Sequence, residues 1–176
     1  MTQKPPFVLG FAAYSGTGKT SLLTQLLPLL KQQGINVAVV KHSHHDIEID
    51  QPAKDSYRLR QAGATPVVLA SPYRQILIAE HDPLTLVSLA EQLKVLSVYD
   101  LDLVLVEGFR HEAFPKIELH RPSLGKPLLY PNDPHIFAIA SDTDLSVPTD
   151  LPLLNLNDIQ AIVAFILDYY QGLLND

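Results

Sequence analysis

The segment Ala13-Tyr14-Ser15-Gly16-Thr17-Gly18-Lys19-Thr20-Ser21 carries the chemistry most easily recognised in this chain. It fits the phosphate-loop spacing G-x-x-x-x-G-K-[ST], except that Ala13 stands at the first glycine. Gly16 and Gly18 let the backbone turn so that successive N–H groups, from Ser15 to Ser21, face one concavity. A helix starting near Lys19 adds its positive N-terminal end to the same hollow, so the ligand that suits it is an oligophosphate. Lys19 would sit on the β- and γ-phosphates as a point charge, Thr20 would give one oxygen to Mg²⁺, and Ser21 would reach the α-phosphate. The bland alternative is a Gly-Ser-Thr turn that only joins a strand to a helix.

Phosphoryl chemistry on such a loop needs a carboxylate near Mg²⁺, usually at the end of a neighbouring buried strand. Glu107, after the apolar run Leu101 to Val106, fits that place, and it forms the metal pair with Thr20. Lys41-His42-Ser43-His44-His45-Asp46 follows another apolar run and should reach the same carboxyl edge of the sheet. Asp46 would orient an attacking or Mg²⁺-bound water, which makes Lys19, Asp46 and Glu107 the candidate catalytic set. His42, His44 and His45 with Asp46 and Glu48 also admit a transition-metal reading, although the spacing matches no zinc pattern and the chain has no cysteine. Arg60 is a candidate anion contact. Asp142, at the end of the run Ile136 to Ala140, could accept from the N–H groups of guanine, or could simply end a strand; no Asn-Lys-x-Asp guanine motif occurs.

The elements that must hold these residues follow from periodicity. Phe7 to Ala12, Ile35 to Lys41, Leu101 to Val106 and Ile136 to Ala140 read as strands buried on both faces. Leu22, Leu23, Leu26, Leu27 and Leu30 mark a helix in which Pro28 should cause a kink or an early end. A short helix from Asp55 to Ala62 precedes a hairpin of Pro66 to Ala70 with Gln75 to Ala79. Asp82 and Pro83 read as the start of a helix ending near Leu96, and Asn157 with Gln160 as a capping box for the last helix. Arg121 to His135 holds four prolines and one glycine, which predicts a long loop or an extended arm. The expected fold is α/β, a doubly wound, mainly parallel sheet of the P-loop NTPase type with helices on both faces and an antiparallel hairpin.

Bulk properties bound the rest. With 176 residues, 47% of them hydrophobic, one core and one nucleotide-binding domain over 1–176 are expected. The net charge of -6 argues against a nucleic-acid backbone as partner. No signal peptide or apolar run of membrane-spanning length is evident, so the expectation is a cytoplasmic protein without a membrane partner.

Gly10-Phe11-Ala12-Ala13-Tyr14-Ser15-Gly16-Thr17-Gly18-Lys19-Thr20, Val40-Lys41-His42-Ser43-His44-His45-Asp46, Lys54-Asp55-Ser56-Tyr57 and Val106-Glu107-Gly108-Phe109 together resemble the molybdopterin-guanine dinucleotide biosynthesis adaptor (MobB) family. The resemblance runs from about Phe7 to the last helix. It implies GTP as the nucleotide, Mg²⁺ as the ion and weak GTPase activity. It also implies assistance to the guanylyltransferase that attaches GMP to molybdopterin, and a homodimer in which an extended segment crosses to the partner, drawn from Arg121 to His135 or from the Pro66 to Ala79 hairpin. Alternatives from other classes are a non-catalytic nucleotide- or pterin-binding adaptor and a small-molecule kinase.

Overall fold

Runs such as Val8-Leu9-Gly10-Phe11 and Leu103-Val104-Leu105-Val106 have no polar face, so they are stable only with both faces covered. The computed structural model, which describes residues 5–43, 45–81 and 85–175, resolves this with a six-stranded, all-parallel sheet. Its strands are β1 (Phe7–Ala12), β2 (Val37–Lys41), β5 (Leu103–Glu107), β6 (Lys116–His120), β7 (Ile136–Ser141) and β8 (Leu153–Asn155). They lie in the order β2-β5-β1-β6-β7-β8, so the chain builds outward in both directions from β1. The carboxyl end of β1 is therefore where ligands gather in this architecture.

Helices α1 (Lys19–Gln32) and α4 (Ile159–Asn175) cover one face, where Leu22, Leu26, Leu30, Ile162 and Ile166 meet Leu9, Phe11, Leu105, Ile117 and Leu119. Helix α3 (Leu89–Leu96) covers the other face, packing Leu89, Leu93 and Leu96 against Val104, Val106, Phe109 and Phe114. The sheet is thus doubly wound, as expected. Gly10 of β1 leaves room for this second layer: a Cβ there would lie 2.4 Å from Cε2 of Phe114.

Chain contacts divide the protein into two compact units, Met1–His42 with Ser88–Asp176, and Ser43–Val87. The second unit contains α2 (Asp55–Gln61) and the antiparallel hairpin β3 (Val67–Ala70) with β4 (Gln75–Ile78). Within it Arg60 is held at 6% side-chain exposure by Glu48, Asp50 and Glu80. These bonds, the one to Glu48 foremost, raise its pKa further above the usual guanidinium value.

Several expectations are corrected. Helix α1 does not end early at Pro28 but runs on to Gln32, and Thr24, whose carbonyl loses its N–H partner, is exposed to water along with the proline. Helix α3 begins at Leu89, capped by Ser88 in a reciprocal box with Glu91, while Asp82 and Pro83 lie outside the described residues. The cap of α4 is Asp158, whose Oδ1 accepts from Ala161, and not Asn157. Two strands went unpredicted, β6 and the three-residue β8. Of the two expectations for the segment after β6, the long loop holds and the extended arm does not: Glu118 accepts from the N–H groups of Leu129 and Tyr130, both at 2.8 Å, and Lys116 pairs with Asp133 at 3.0 Å. Those bonds fold it back over its own strand through two short 3-10 turns, Pro122–Leu124 and Tyr130–Asn132.

Candidate functional site

An α-helix leaves its first N–H groups unpaired, and most helices cover them with a Ser, Thr, Asp or Asn side chain. Helix α1 begins without one. Its N-cap is Gly18 at φ 102°, no side chain caps it, and no acidic residue stands in its first turn. Gly16, at φ 82°, has no atom within 4 Å of where a Cβ would point, so the loop opens outward. The result is an uncapped helix start, the positive end of a dipole, beside a loop that is open at Gly16 and has the Arg121 guanidinium near Gly18.

The loop is braced from within. Thr17, 2% exposed, donates from Oγ1 to the carbonyl of Tyr14 at 2.9 Å. Lys19 Nζ donates to the carbonyls of Ala13 at 2.9 Å and Tyr14 at 3.2 Å, lying across the loop it is expected to serve. Partial burial lowers its pKa, with Glu107 opposing that effect and Lys41 and Arg110 adding to it. Lys19 therefore sits in a neighbourhood of one carboxylate and two further cations. Ser15, Thr20 and Ser21 are exposed along the same loop and first turn.

Glu107 closes β5 and pairs with Lys41 at the end of β2, its Oε2 3.4 Å from Nζ. The two strands are in register there, Lys41 opposite Glu107. Since Lys41 is 58% exposed, the pair contributes at most about 1 kcal/mol. The turn that follows is tight: the Glu107 carbonyl accepts from the His42 N–H at 2.8 Å, and His42 stacks on Phe109 with ring centres 4.5 Å apart. Gly108, at φ 107°, is required there, because a Cβ would lie 2.5 Å from Cβ of His42.

Sequence reasoning missed Arg121. From the end of β6 its Nε donates to the carbonyl of Thr17 at 2.9 Å, and its Nη1 donates to Asp142 Oδ2 at 2.6 Å. One side chain thus ties the phosphate loop to the acid at the end of β7. Asp142 Oδ1 is buried and without a hydrogen-bond partner. Beside it His120 is buried, which lowers its pKa despite the attraction of Asp142. An arginine after a strand that was itself unrecognised left no signal in the pattern.

Asp46 and His45 lie in the second unit, and His44 is outside the described residues. Among the described residues, no group of three or more His, Asp or Glu is placed to hold a metal ion, so the transition-metal reading of the histidines gains nothing. Arg60, engaged by three carboxylates, is not a free anion contact. Thr20 and Glu107 remain suited to Mg²⁺, an ion that keeps several waters and takes one or two protein oxygens beside those of a phosphate.

The family model for molybdopterin guanine dinucleotide synthesis protein B, MobB, matches residues 8–142. The chain belongs to the MobB family. A molybdopterin-guanine dinucleotide biosynthesis adapter protein of Escherichia coli K12 is 43% identical over 168 residues, covering 93% of each chain. The Haemophilus influenzae protein of that description is 43% identical over 162 residues, 90% of this chain and 86% of its own. A crystal structure of molybdopterin-guanine biosynthesis protein B superposes with a TM-score of 0.69 at 25% identity, covering 94% of this chain and 99% of the other. This MobB-family chain is accordingly an adapter of molybdopterin guanine dinucleotide biosynthesis. Among its described residues no helix is long and apolar enough to cross a membrane.

Proposed function

We propose that this chain binds GTP with Mg²⁺ on the loop Ala13 to Ser21, hydrolyses it slowly, and assists a guanylyltransferase in joining GMP to molybdopterin in the cytoplasm. The observation that carries the nucleotide reading is the uncapped N-terminus of α1 behind Gly18, with the loop open at Gly16 and Lys19 alongside. A helix end without a cap or an acidic first turn costs stability, and an oligophosphate supplies what is missing. Lys19 leaves the Ala13 and Tyr14 carbonyls for phosphate oxygens. Thr20 and Glu107 hold Mg²⁺, which when bound would neutralise charge between the terminal phosphates. Asp142 reads guanine.

Slow turnover has a physical reason in this reading. Glu107 is paired to Lys41, so part of its negative charge is already answered before a metal arrives. That favours holding nucleotide over rapid hydrolysis. Pairing of two copies is the second part of the proposal. The hairpin exposes Val68 and Leu77, 52% and 50% accessible and directly opposite each other, and a lone two-stranded sheet is marginal in water. A second copy would cover it.

The test is GTP hydrolysis and cofactor formation with and without the guanylyltransferase, in wild type and in Glu107→Gln. Partner-stimulated hydrolysis that Glu107→Gln abolishes, with loss of cofactor yield, supports a catalytic adapter. Full cofactor yield in Glu107→Gln with GTP still bound overturns the hydrolytic part and leaves a nucleotide-holding adapter.

A further inference from the structure

The first unit has a cleft of about 590 Å³ next to the phosphate loop that none of the roles above uses. Ala12 and Tyr14 line it from the loop's own strand, Arg110, His111 and Glu112 from the turn after β5, and Leu129 with Asn132 to His135 from the segment after β6. Its size is that of a site for a small organic molecule.

Its charges are unequal in freedom. The two carboxylates are committed: Glu112 accepts from the Leu89 N–H at 2.9 Å, and Asp133 is paired to Lys116 and accepts from the His135 N–H at 3.0 Å. Arg110 is exposed, has no carboxylate partner among the described residues, and donates from Nε only to Nε2 of its neighbour His111, at 3.1 Å. Arg110, His111 and His135 line the cleft, and beyond the Arg110–His111 bond the Nη groups of the Arg110 guanidinium carry no hydrogen bond or ion pair among the described residues.

The wall from Leu129 to His135 is built at a cost that covering a sheet does not require. Lys116 and Glu118, each 1% exposed, sit on one face of β6, a place where Leu or Val would pack without desolvating a charge. Their contacts are nearly all with this wall and its neighbours: Lys116 with Asp133 and the Glu112 carbonyl, Glu118 with the N–H groups of Leu129 and Tyr130. Burial raises the Glu118 pKa, so the strand keeps an acid there at a penalty. Two buried ionisable groups fix the position of Leu129 to His135, which is the kind of support a binding wall needs.

We infer that this cleft seats a second ligand beside the nucleotide, a phosphomonoester carrying a pterin-type ring, with the phosphate on Arg110 and His111 and the ring edge toward Asn132. A guanidinium matches a phosphate with two parallel N–H donors, and a side-chain amide can both donate to and accept from an aminopyrimidinone edge. The assignment of the ring rests on the reading that the chain serves molybdopterin guanine dinucleotide formation. The position of Tyr14, in both the loop and the cleft, would keep the two ligands adjacent.

The experiment uses the full chain with saturating GTP and Mg²⁺, and titrates 6-hydroxymethylpterin phosphate by its fluorescence, with 6-hydroxymethylpterin as the phosphate-free control. Saturable binding at one site per chain is expected, weakened about tenfold or more by Arg110→Ala and by loss of the probe's phosphate, as removal of a charge-assisted contact implies. Asn132→Ala should weaken the phosphorylated and phosphate-free probes by the same factor. Displacement of GTP by the probe, or equal affinity for wild type and both variants, would overturn the inference. GTP binding is measured in the same samples: its absence refutes the nucleotide reading, whereas GTP binding without probe binding refutes only the cleft.

Discussion

Replacing Gly108 by alanine tests whether the turn after β5 is as constrained as its geometry implies. The residue lies at φ 107°, where an L side chain meets its own backbone, at a cost of about 1–2 kcal/mol. The new Cβ would stand 2.5 Å from Cβ of His42 and 3.3 Å from its backbone nitrogen, contacts that must be relieved by moving a strand end. Overpacking of that kind costs about 1–3 kcal/mol, so the total is about 2–5 kcal/mol. Urea unfolding of the purified chain reads it directly. In the background His42→Gly the 2.5 Å contact is gone while the 3.3 Å approach to the backbone nitrogen and the φ cost persist, so the loss should shrink toward its lower end, about 2 kcal/mol. The substitution should also weaken Mg²⁺-dependent GTP binding, because His42 moves off the Glu107 carbonyl and carries Lys41 with it. A loss below about 1 kcal/mol, or one of equal size in both backgrounds, would refute the argument.

Other expectations follow from the same contacts. Arg121→Ala removes the tie between Thr17 and Asp142 and leaves a carboxylate with both oxygens unpaired; GTP affinity should fall about tenfold or more by titration calorimetry. Lys116→Met leaves Asp133 without its buried partner and should destabilise the fold by about 3–5 kcal/mol in urea unfolding. Because burial lowers the Lys19 pKa, the unfolded chain holds that proton more tightly, and phosphate binding needs it bound. GTP affinity should therefore decline with rising pH from a point below the ordinary lysine value, and the decline should be absent from the residual binding of Lys19→Met. His120 is held neutral by burial, so folding stability should fall as pH drops from about 6.5 through the lower folded value, and His120→Phe should flatten that slope.

Much of this was legible because the loop announces itself locally. Gly16, Gly18, Lys19 and Thr20 are adjacent in sequence, and the conformation they adopt is dictated by glycine's freedom and a helix start. Strands β1, β5 and β7 were legible because burial on both faces leaves unbroken apolar runs. Strand β6 was not read, although Lys116, Glu118 and His120 alternate with Ile117 and Leu119 as in a strand with one wet face; what that pattern hides is that both faces are covered. All five are buried, and only the tertiary partners of the three polar ones, Asp133 and the Leu129 and Tyr130 N–H groups among them, make that tolerable. Missing β6 hid Arg121 and the bonds by which its buried side chains hold the loop that follows. The start of α3 failed differently: Ser88 and Glu91 form a cap as good as any Asp-Pro start, and local pattern does not rank competing caps.

The central claim is that Lys19 and the uncapped start of α1 form a GTP site, and equilibrium binding of GTP by wild type and Lys19→Ala tests it most directly. Binding should be saturable, strengthened by Mg²⁺ and one nucleotide per chain, and Lys19→Ala should reduce it at least about a hundredfold in a chain whose unfolding curve is unchanged, as expected when a charged contact to phosphate is removed. Equal GTP affinity in the two proteins, or no GTP binding by either, would contradict it.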